Sequence, residues 1–396
     1  MEKRSSEKKP LDIKAFYKII YNSRDSKKRI LKNILSGKKP LEKDILVLED
    51  SLNKLKNIKK EKKGFVLISN ENKIISKLKY EIEELEKDLI YLKKGEKELL
   101  NYFSELNKNF HREINSGIKY LNKKSFDTFI TDRDGTINNY CERYLSSVQS
   151  VYNAVFLLRF ISGISNPSII ITSGPLDKFN KINIMPHKNL VYAGSKGREV
   201  FFNKKNFRLE LSKKEKKLFS ELIKLFDVLS KKPKYSQFFL KGSGFQKKLG
   251  ELSISRQDFL NSIPEKESED FLDLIREIVH NVDKENLLKV SDTGLDIEIT
   301  LKKNSRDFNK ADGINFTLEK TGIVPGKTLV CGDTFSDIKL LKEISKKTKN
   351  LEVVFCTTNK KLKSEVKKIK KDALFVSGPD VLITILNKIS KKQNGI

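Results

Sequence analysis

From residue 126 onward the chain alternates two textures. Short apolar runs stop abruptly on small or acidic residues: Phe126 to Asp132, Ser168-Ile169-Ile170-Ile171 before Thr172-Ser173-Gly174, Asn189 to Gly194, and Thr328-Leu329-Val330-Cys331 before Gly332-Asp333. Between the first two lies a stretch with apolar residues at helical spacing, Ser146 to Phe160, closed by Gly163 and Pro167. Uninterrupted apolar strands alternating with helices predict a parallel sheet covered on both faces. Leu351 to Cys356 and Ala373 to Val376 supply two more strands, and Asp380 to Ile389 a closing helix.

Two regions break the pattern. Between about Asn206 and Lys303 the spacing predicts helices at 212–230 and 267–281, with alternating runs at 249–254 and 295–300, an α+β insertion lying over the sheet as a cap. Ahead of the sheet, Leu11 to Lys124 is rich in Lys, Glu, Leu and Ile. Its run Ile75, Leu78, Ile82, Leu85, Leu89, Leu92, continued through Leu99, Phe103, Leu106 and Phe110, predicts a helix of about 40 residues that needs a partner along its seam. A helix ending near Lys60 can be that partner. Gly64 and Phe65 to Ile68 then read as the break, and Ser69-Asn70 as a helix start. The choice is an antiparallel helical hairpin or a dimerising coiled coil. The expected organisation is a helical domain over 1–124, a sheet domain over 125–205 and 303–396, and a cap over 206–302.

Composition adds little to the fold and something to the function. An excess of 80 Lys and Arg over 52 Asp and Glu gives +28, which raises nucleic acid, an anionic membrane or an acidic small molecule as partners. Only 12 of the 80 are Arg, and the basic helical segment carries no Arg cluster, so nucleic acid is disfavoured. Cys141, Cys331 and Cys356 are too scattered for a metal site, and three histidines, His111, His187 and His280, leave little for a His-based one. No signal peptide and no run of 18 apolar residues stands in the sequence, so the expectation is a cytoplasmic protein without a membrane partner. The N-terminal helices carry no chemistry; self-association or a protein partner is the role left to them.

Chemistry concentrates at the strand ends, where open α/β sheets bind ligands. In Asp132-Arg133-Asp134-Gly135-Thr136 the two carboxylates leave one strand on the same side, with Gly135 making the turn. One can hold Mg²⁺ and attack phosphorus while the other carries a proton. With its companions this stretch resembles the haloacid dehalogenase (HAD) superfamily of phosphotransferases over about 126 to 390. The resemblance implies a Rossmann-like α/β core, Asp132 as nucleophile, Asp134 as acid/base, Ser173 before Gly174 as the phosphate-holding loop, Lys310 as the neutralising lysine, and Asp333 with Asp337 completing the Mg²⁺ site. Mg²⁺ is then held by Asp132, the carbonyl of Asp134, Asp333 and Asp337.

Within that superfamily the chain is most similar to trehalose-6-phosphate phosphatases, some of which carry an N-terminal helical extension. Gly194-Ser195-Lys196-Gly197 looks like their Gly-Ser-His-Gly, and Gly332-Asp333-Thr334-Phe335-Ser336-Asp337 like their Gly-Asp-Asp-x-Thr-Asp. The resemblance assigns Lys248 and Glu298 of the cap to the sugar. Lys196 stands for His, Gln246 for Glu, Ser255-Arg256-Gln257 for His-Tyr-Arg and Pro175 for Arg, which leaves the sugar open. A glucosylglycerol phosphate or sucrose phosphate, a phosphosugar mutase, and a helical adaptor with a relic core are the alternatives. Arg143 and Arg198 lie either at the substrate or on the surface.

Overall fold

The computed structural model describes residues 8–393, apart from 62–63, 70–71, 123, 187 and 304–305. Asn70 of the expected helix start and His187 therefore lie outside the described residues. The N-terminal arm comprises β1 (Leu11–Asp12), α1 (Ile13–Leu35), α2 (Glu42–Lys56), β2 (Lys60–Glu61), β3 (Gly64–Ser69), β4 (Asn72–Ser76), α3 (Lys79–Leu106) and α4 (Phe110–Leu121). The sheet region begins with β5 (Thr128–Asp132), α5 (Val151–Ile161), β6 (Ser168–Ile171), α6 (Leu176–Ile182), β7 (Leu190–Gly194), β8 (Glu199–Phe202) and β9 (Lys205–Arg208). The insertion carries α7 (Lys213–Leu229), α8 (Pro233–Leu240), β10 (Phe245–Lys248), β11 (Glu251–Ser255), α9 (Glu265–Val282), β12 (Leu288–Asp292), β13 (Asp296–Lys303) and β14 (Arg306–Asp307). The sheet region resumes with α10 (Lys310–Thr321), β15 (Thr328–Gly332), α11 (Phe335–Lys347), β16 (Leu351–Cys356), α12 (Lys360–Ile369), β17 (Leu374–Val376) and α13 (Pro379–Gln393).

The central sheet runs β17-β16-β15-β5-β6-β7-β8-β9, parallel from β17 to β7 and antiparallel through β8 and β9. Its strands are apolar throughout because both faces are covered. Period-two alternation sends Phe129, Ile170, Leu329 and Val354 into the layer with α5, α13 and the arm. Ile130, Ile169, Val330 and Val353 enter the layer with α10, α11 and α12. The cap has its own core, in which Phe226, Ile275, Ile297 and Ile299 close over the sheet β10-β11-β13-β12.

The arm departs from its predicted form. Ile75 lies in β4, paired with Val66 of β3, so Phe65 to Ile68 is a strand rather than a turn. The expected 40-residue helix is divided. Gly95 breaks α3 with φ 88°, ψ 179°, a backbone region open to glycine and strained for other residues, and extended Asn107 separates α3 from α4. Likewise the helix expected from Ser146 begins only at Val151, after a single turn at Tyr144–Ser146. α2, the partner expected for the long helix, packs on α3 and also on α1, and the arm lies on α5 and α13, where the Phe103 ring meets Tyr152 at 5.5 Å and Tyr91 meets Phe156 at 5.8 Å.

Buried charge joins arm and sheet region as well. Asp88 accepts from the backbone N–H groups of Val151 and Tyr152, at 2.6 and 3.3 Å, capping α5 from outside because Ser150 makes no cap of its own. Lys27 pairs with Asp88 at 3.0 Å, and Lys87 bridges Glu84 and Asp380 at 2.7 and 2.9 Å.

Candidate active site

Asp132, Lys310, Asp333 and Asp337 converge at the carboxyl edge of β5 and β15. Lys310 is the first residue of α10, whose start is fixed by a capping box between Asn309 and Asp312. Its ammonium, buried, donates to Asp132 Oδ1 and, at 2.6 Å, to Asp337 Oδ1. The other Asp337 oxygen accepts from the N–H groups of Asp333 and Thr334 and from the Thr334 hydroxyl, so it also caps α11. Asp333 accepts from Thr136 Oγ1 at 2.9 Å and from the Tyr140 hydroxyl at 2.5 Å. Gly135, at φ 88°, passes so close that a Cβ there would stand 2.2 Å from Asp333 Oδ2.

The carboxylates of Asp132, Asp333 and Asp337 each bring an oxygen within 4.8 Å of the others. Among the described residues Lys310 is the cation bonded into this trio, which leaves the group short of positive charge. Burial, with Asp337 beside it, pushes the Asp333 carboxyl up to about 6. Burial also pushes Asp132 well above the ordinary carboxylate range, against the pull of Lys310. A hard divalent cation would relieve that imbalance, and an all-oxygen donor set suits Mg²⁺. Asp134 stands outside this trio: one oxygen of its side chain takes hydrogen bonds from Arg133 Nη1 and, at 3.2 Å, from Ser147 Oγ.

Ser173 and Gly174 follow β6 in a loop held on two sides. Gly174 N–H donates to Thr172 Oγ1 at 3.1 Å, its carbonyl accepts from Ser195 N–H at 2.7 Å, and Thr172 O accepts from Lys196 N–H at 2.9 Å. The Ser195–Gly197 turn in its own right rests on α10, where a Cβ on Gly313 would stand 1.9 Å from Lys196 O. Ser173 and Lys310 are thus positioned against one shared turn.

From that turn Lys196 reaches into the cap. Its ammonium donates to Glu251 at 2.7 Å and Glu298 at 3.3 Å, while Lys248 donates to the other Glu251 oxygen at 2.6 Å. Burial opposes the charge on Glu251, but Lys248 and Lys196 outweigh it and hold the carboxyl at about 2. Lys248 and Glu298 therefore meet in one cluster, around a glutamate that the sequence pattern did not single out, although it lies inside the alternating run 249–254. Neither arginine lies on the surface: Arg198 is buried over the Phe308 ring at 4.4 Å, and Arg143 is buried beside Tyr17, to which it donates at 3.2 Å. Arg256 is buried too, bonded to Asp292, Glu265 and Ser268 at 2.6, 2.8 and 2.9 Å.

The parallel sheet, the inserted cap and the carboxylate–lysine cluster at the strand ends are those of a haloacid dehalogenase-type phosphatase fold. Residues 129–382 match the family model "Trehalose-6-phosphate phosphatase, C-terminal", and residues 12–115 match that of the N-terminal helical bundle domain of the same enzymes. The chain belongs to the trehalose-6-phosphate phosphatase family. It is 30% identical over 329 residues to an alpha,alpha-trehalose-phosphate synthase [UDP-forming] 2 of Aphelenchoides avenae, covering 76% of this chain and 25% of the relative. It is 27% identical over 420 residues to a trehalose-phosphatase of Brugia malayi, covering 94% of this chain and 85% of the relative. The chain thus spans about a quarter of the length of the synthases it matches. A solved C-terminal domain of Candida albicans trehalose-6-phosphate phosphatase is 18% identical, with a TM-score of 0.47, covering 71% of this chain and 96% of that one.

Proposed function

We propose that the chain is a Mg²⁺-dependent phosphomonoester hydrolase that converts trehalose-6-phosphate to trehalose and phosphate through an aspartyl-phosphate intermediate. The observation that carries this reading is Lys310 bonded to both Asp132 and Asp337, with Asp333 in the same cluster. Asp132 attacks phosphorus in line, and Lys310 offsets the charge of nucleophile and phosphate. The Ser173 hydroxyl and the loop at Gly174 hold the phosphoryl oxygens. Asp134 gives a proton to the departing sugar oxygen and then, as a base, takes one from the water that hydrolyses the aspartyl phosphate. Asp132, the carbonyl of Asp134, Asp333 and Asp337 would hold Mg²⁺, which supplies charge neutralisation at the dianion.

Lys248 and Glu298 are assigned to the sugar. A second reading, a different phosphorylated glycoside, is favoured by Arg256, which is buried and bonded inside the cap rather than free for the substrate. The division into arm (1–124), core (125–205 and 303–396) and cap (206–302) belongs to the same proposal, supported by the separate apolar core of the cap. A cytoplasmic site of action is also part of it; no helix among the described residues is long and apolar enough to cross a membrane.

Phosphate release from trehalose-6-phosphate, sucrose-6-phosphate, glucosylglycerol phosphate and hexose phosphates, with Mg²⁺ and with EDTA, tests the reading. Trehalose-6-phosphate should be hydrolysed with the highest kcat/KM, and EDTA should stop the reaction until Mg²⁺ is restored. Asp132→Asn should remove turnover of every substrate while leaving the fold intact; near-normal turnover would refute the nucleophile.

A further inference from the structure

The loop that follows the Asp-x-Asp motif is gripped along its length by the arm. Glu142 accepts from Ser76 Oγ and Lys77 N–H at 2.9 and 3.1 Å, Ser146 donates to Glu81 at 2.5 Å, and Asn139 donates to Glu84 at 3.0 Å. One of these connections reaches Asp134. Tyr80, in the first turn of α3, holds its buried hydroxyl 2.9 Å from Asn138 Oδ1 and 2.9 Å from Val148 O. The Asn138 amide nitrogen donates to Asn139 O at 3.2 Å and to Ser147 Oγ at 3.1 Å. A carbonyl only accepts, so Asn139 O fixes which end of the amide is the NH₂ and leaves Oδ1 facing the Tyr80 hydroxyl. Ser147 Oγ also accepts from Arg133 Nη1 at 2.9 Å. With both lone pairs occupied, the serine proton points to Asp134 Oδ1, 3.2 Å away. Arg133 donates to that same oxygen, so the other oxygen of Asp134 is the one left to carry a proton.

We propose that the N-terminal arm is a working part of the active site, with Tyr80 as a positioning residue that orients the Asp134 carboxyl through Asn138 and Ser147. The inference rests on the reading of Asp134 as acid/base. The one phenol proton is shared between Val148 O and Asn138 Oδ1; removing the hydroxyl takes away the anchor at the oxygen end of the amide, which is then held only by Asn139 O and Ser147 Oγ, and the Ser147 hydroxyl loses its fixed place against Asp134. Burial pushes the Tyr80 phenol well above its ordinary pKa, so the hydroxyl keeps its proton as a donor.

The test is Tyr80→Phe in the full chain, compared with wild type on two leaving groups. A sugar alkoxide needs the proton from Asp134, whereas nitrophenolate departs without one. We expect kcat on trehalose-6-phosphate to fall about tenfold or more with KM within about threefold, while single-turnover nitrophenolate release, enzyme in excess, stays within about threefold of wild type. Ser147→Ala should show the same split, and the double variant should be no worse than Ser147→Ala alone, as members of one relay are non-additive. If Tyr80→Phe fails to fold, Ser147→Ala decides by the same comparison. Undiminished turnover of trehalose-6-phosphate, or an equal loss on both leaving groups, overturns the positioning role and leaves the phosphatase reading standing. A wild-type chain that releases phosphate from no monoester overturns both.

Discussion

Glu251 shows how one buried residue can hold two others in place. Its carboxylate, without exposed surface, takes Lys196 from the core and Lys248 from the cap on separate oxygens, with Arg198 at 3.6 Å. Because its folded pKa of about 2 lies below the ordinary value of 4.5, its contribution is present above pH 4.5 and is lost as the pH falls toward 2. The shift corresponds to about 3 kcal/mol at neutral pH and roughly 1 kcal/mol at pH 3. Glu251→Gln should therefore be less stable than wild type by urea unfolding at pH 7, and the gap should narrow by about 2 kcal/mol at pH 3. A gap independent of pH would mean that packing, rather than charge, keeps Glu251 in place. The sequence brought out Lys248 and Glu298 through the resemblance, and Lys196 only as a departure from it. Glu251 was hidden because strand alternation says which residues share a face, not which cations meet across the cleft. Tyr80, Asn138 and Ser147 were hidden more deeply, since Tyr80 and Asn138 are 58 residues apart and no pattern encodes the direction of a hydroxyl.

At the scale of elements, the legible ones end on chemistry. Apolar runs closing on Asp132, Ser173 and Asp333 became β5, β6 and β15, and the cap helices α7 and α9 match their predicted spans closely because each carries a full apolar stripe, whereas the short α8 had no predicted counterpart. The arm was misread where its apolar spacing ran on through Gly95 and Asn107, whose backbone conformations break the helix. A related backbone constraint links two elements of the site. Gly313 in α10 leaves room for Lys196 O, and a methyl there would collide with backbone that cannot swing aside. Gly313→Ala should lower stability by about 1–3 kcal/mol in a thermal melt and reduce phosphate release at least about tenfold, since either Lys310 or the Ser173 loop has to shift. An unaltered melting temperature would show that the turn yields without cost.

At the scale of the whole molecule, the arm and the sheet region share one apolar core. Leu99, Phe103, Phe110 and Leu121 are buried in the same cluster as Tyr152, Phe156 and Leu386. Each such side chain contributes about 1.5–3 kcal/mol, so losing these four arm residues costs about 6–12 kcal/mol, comparable to the roughly 5–15 kcal/mol that holds a domain folded. A chain beginning at Ser125 should lack a cooperative melt and should aggregate, and adding residues 1–124 in trans should restore solubility only if the arm folds by itself. A soluble, cooperatively melting 125–396 fragment would show that the shared core is dispensable.

The cap that Asp88 places on α5 also ties the fold to the order of synthesis. The donors it satisfies, on Val151 and Tyr152, leave the ribosome some 60 residues after the acceptor does, so α5 emerges with its N-terminal partner already made. A circular permutant opened at Ser125, with the arm joined behind Gln393, keeps the same residues but makes α5 wait for the last third of the chain. It should refold from urea to the same final stability as the natural order, yet accumulate less soluble protein during translation, where exposed apolar helices have time to find one another.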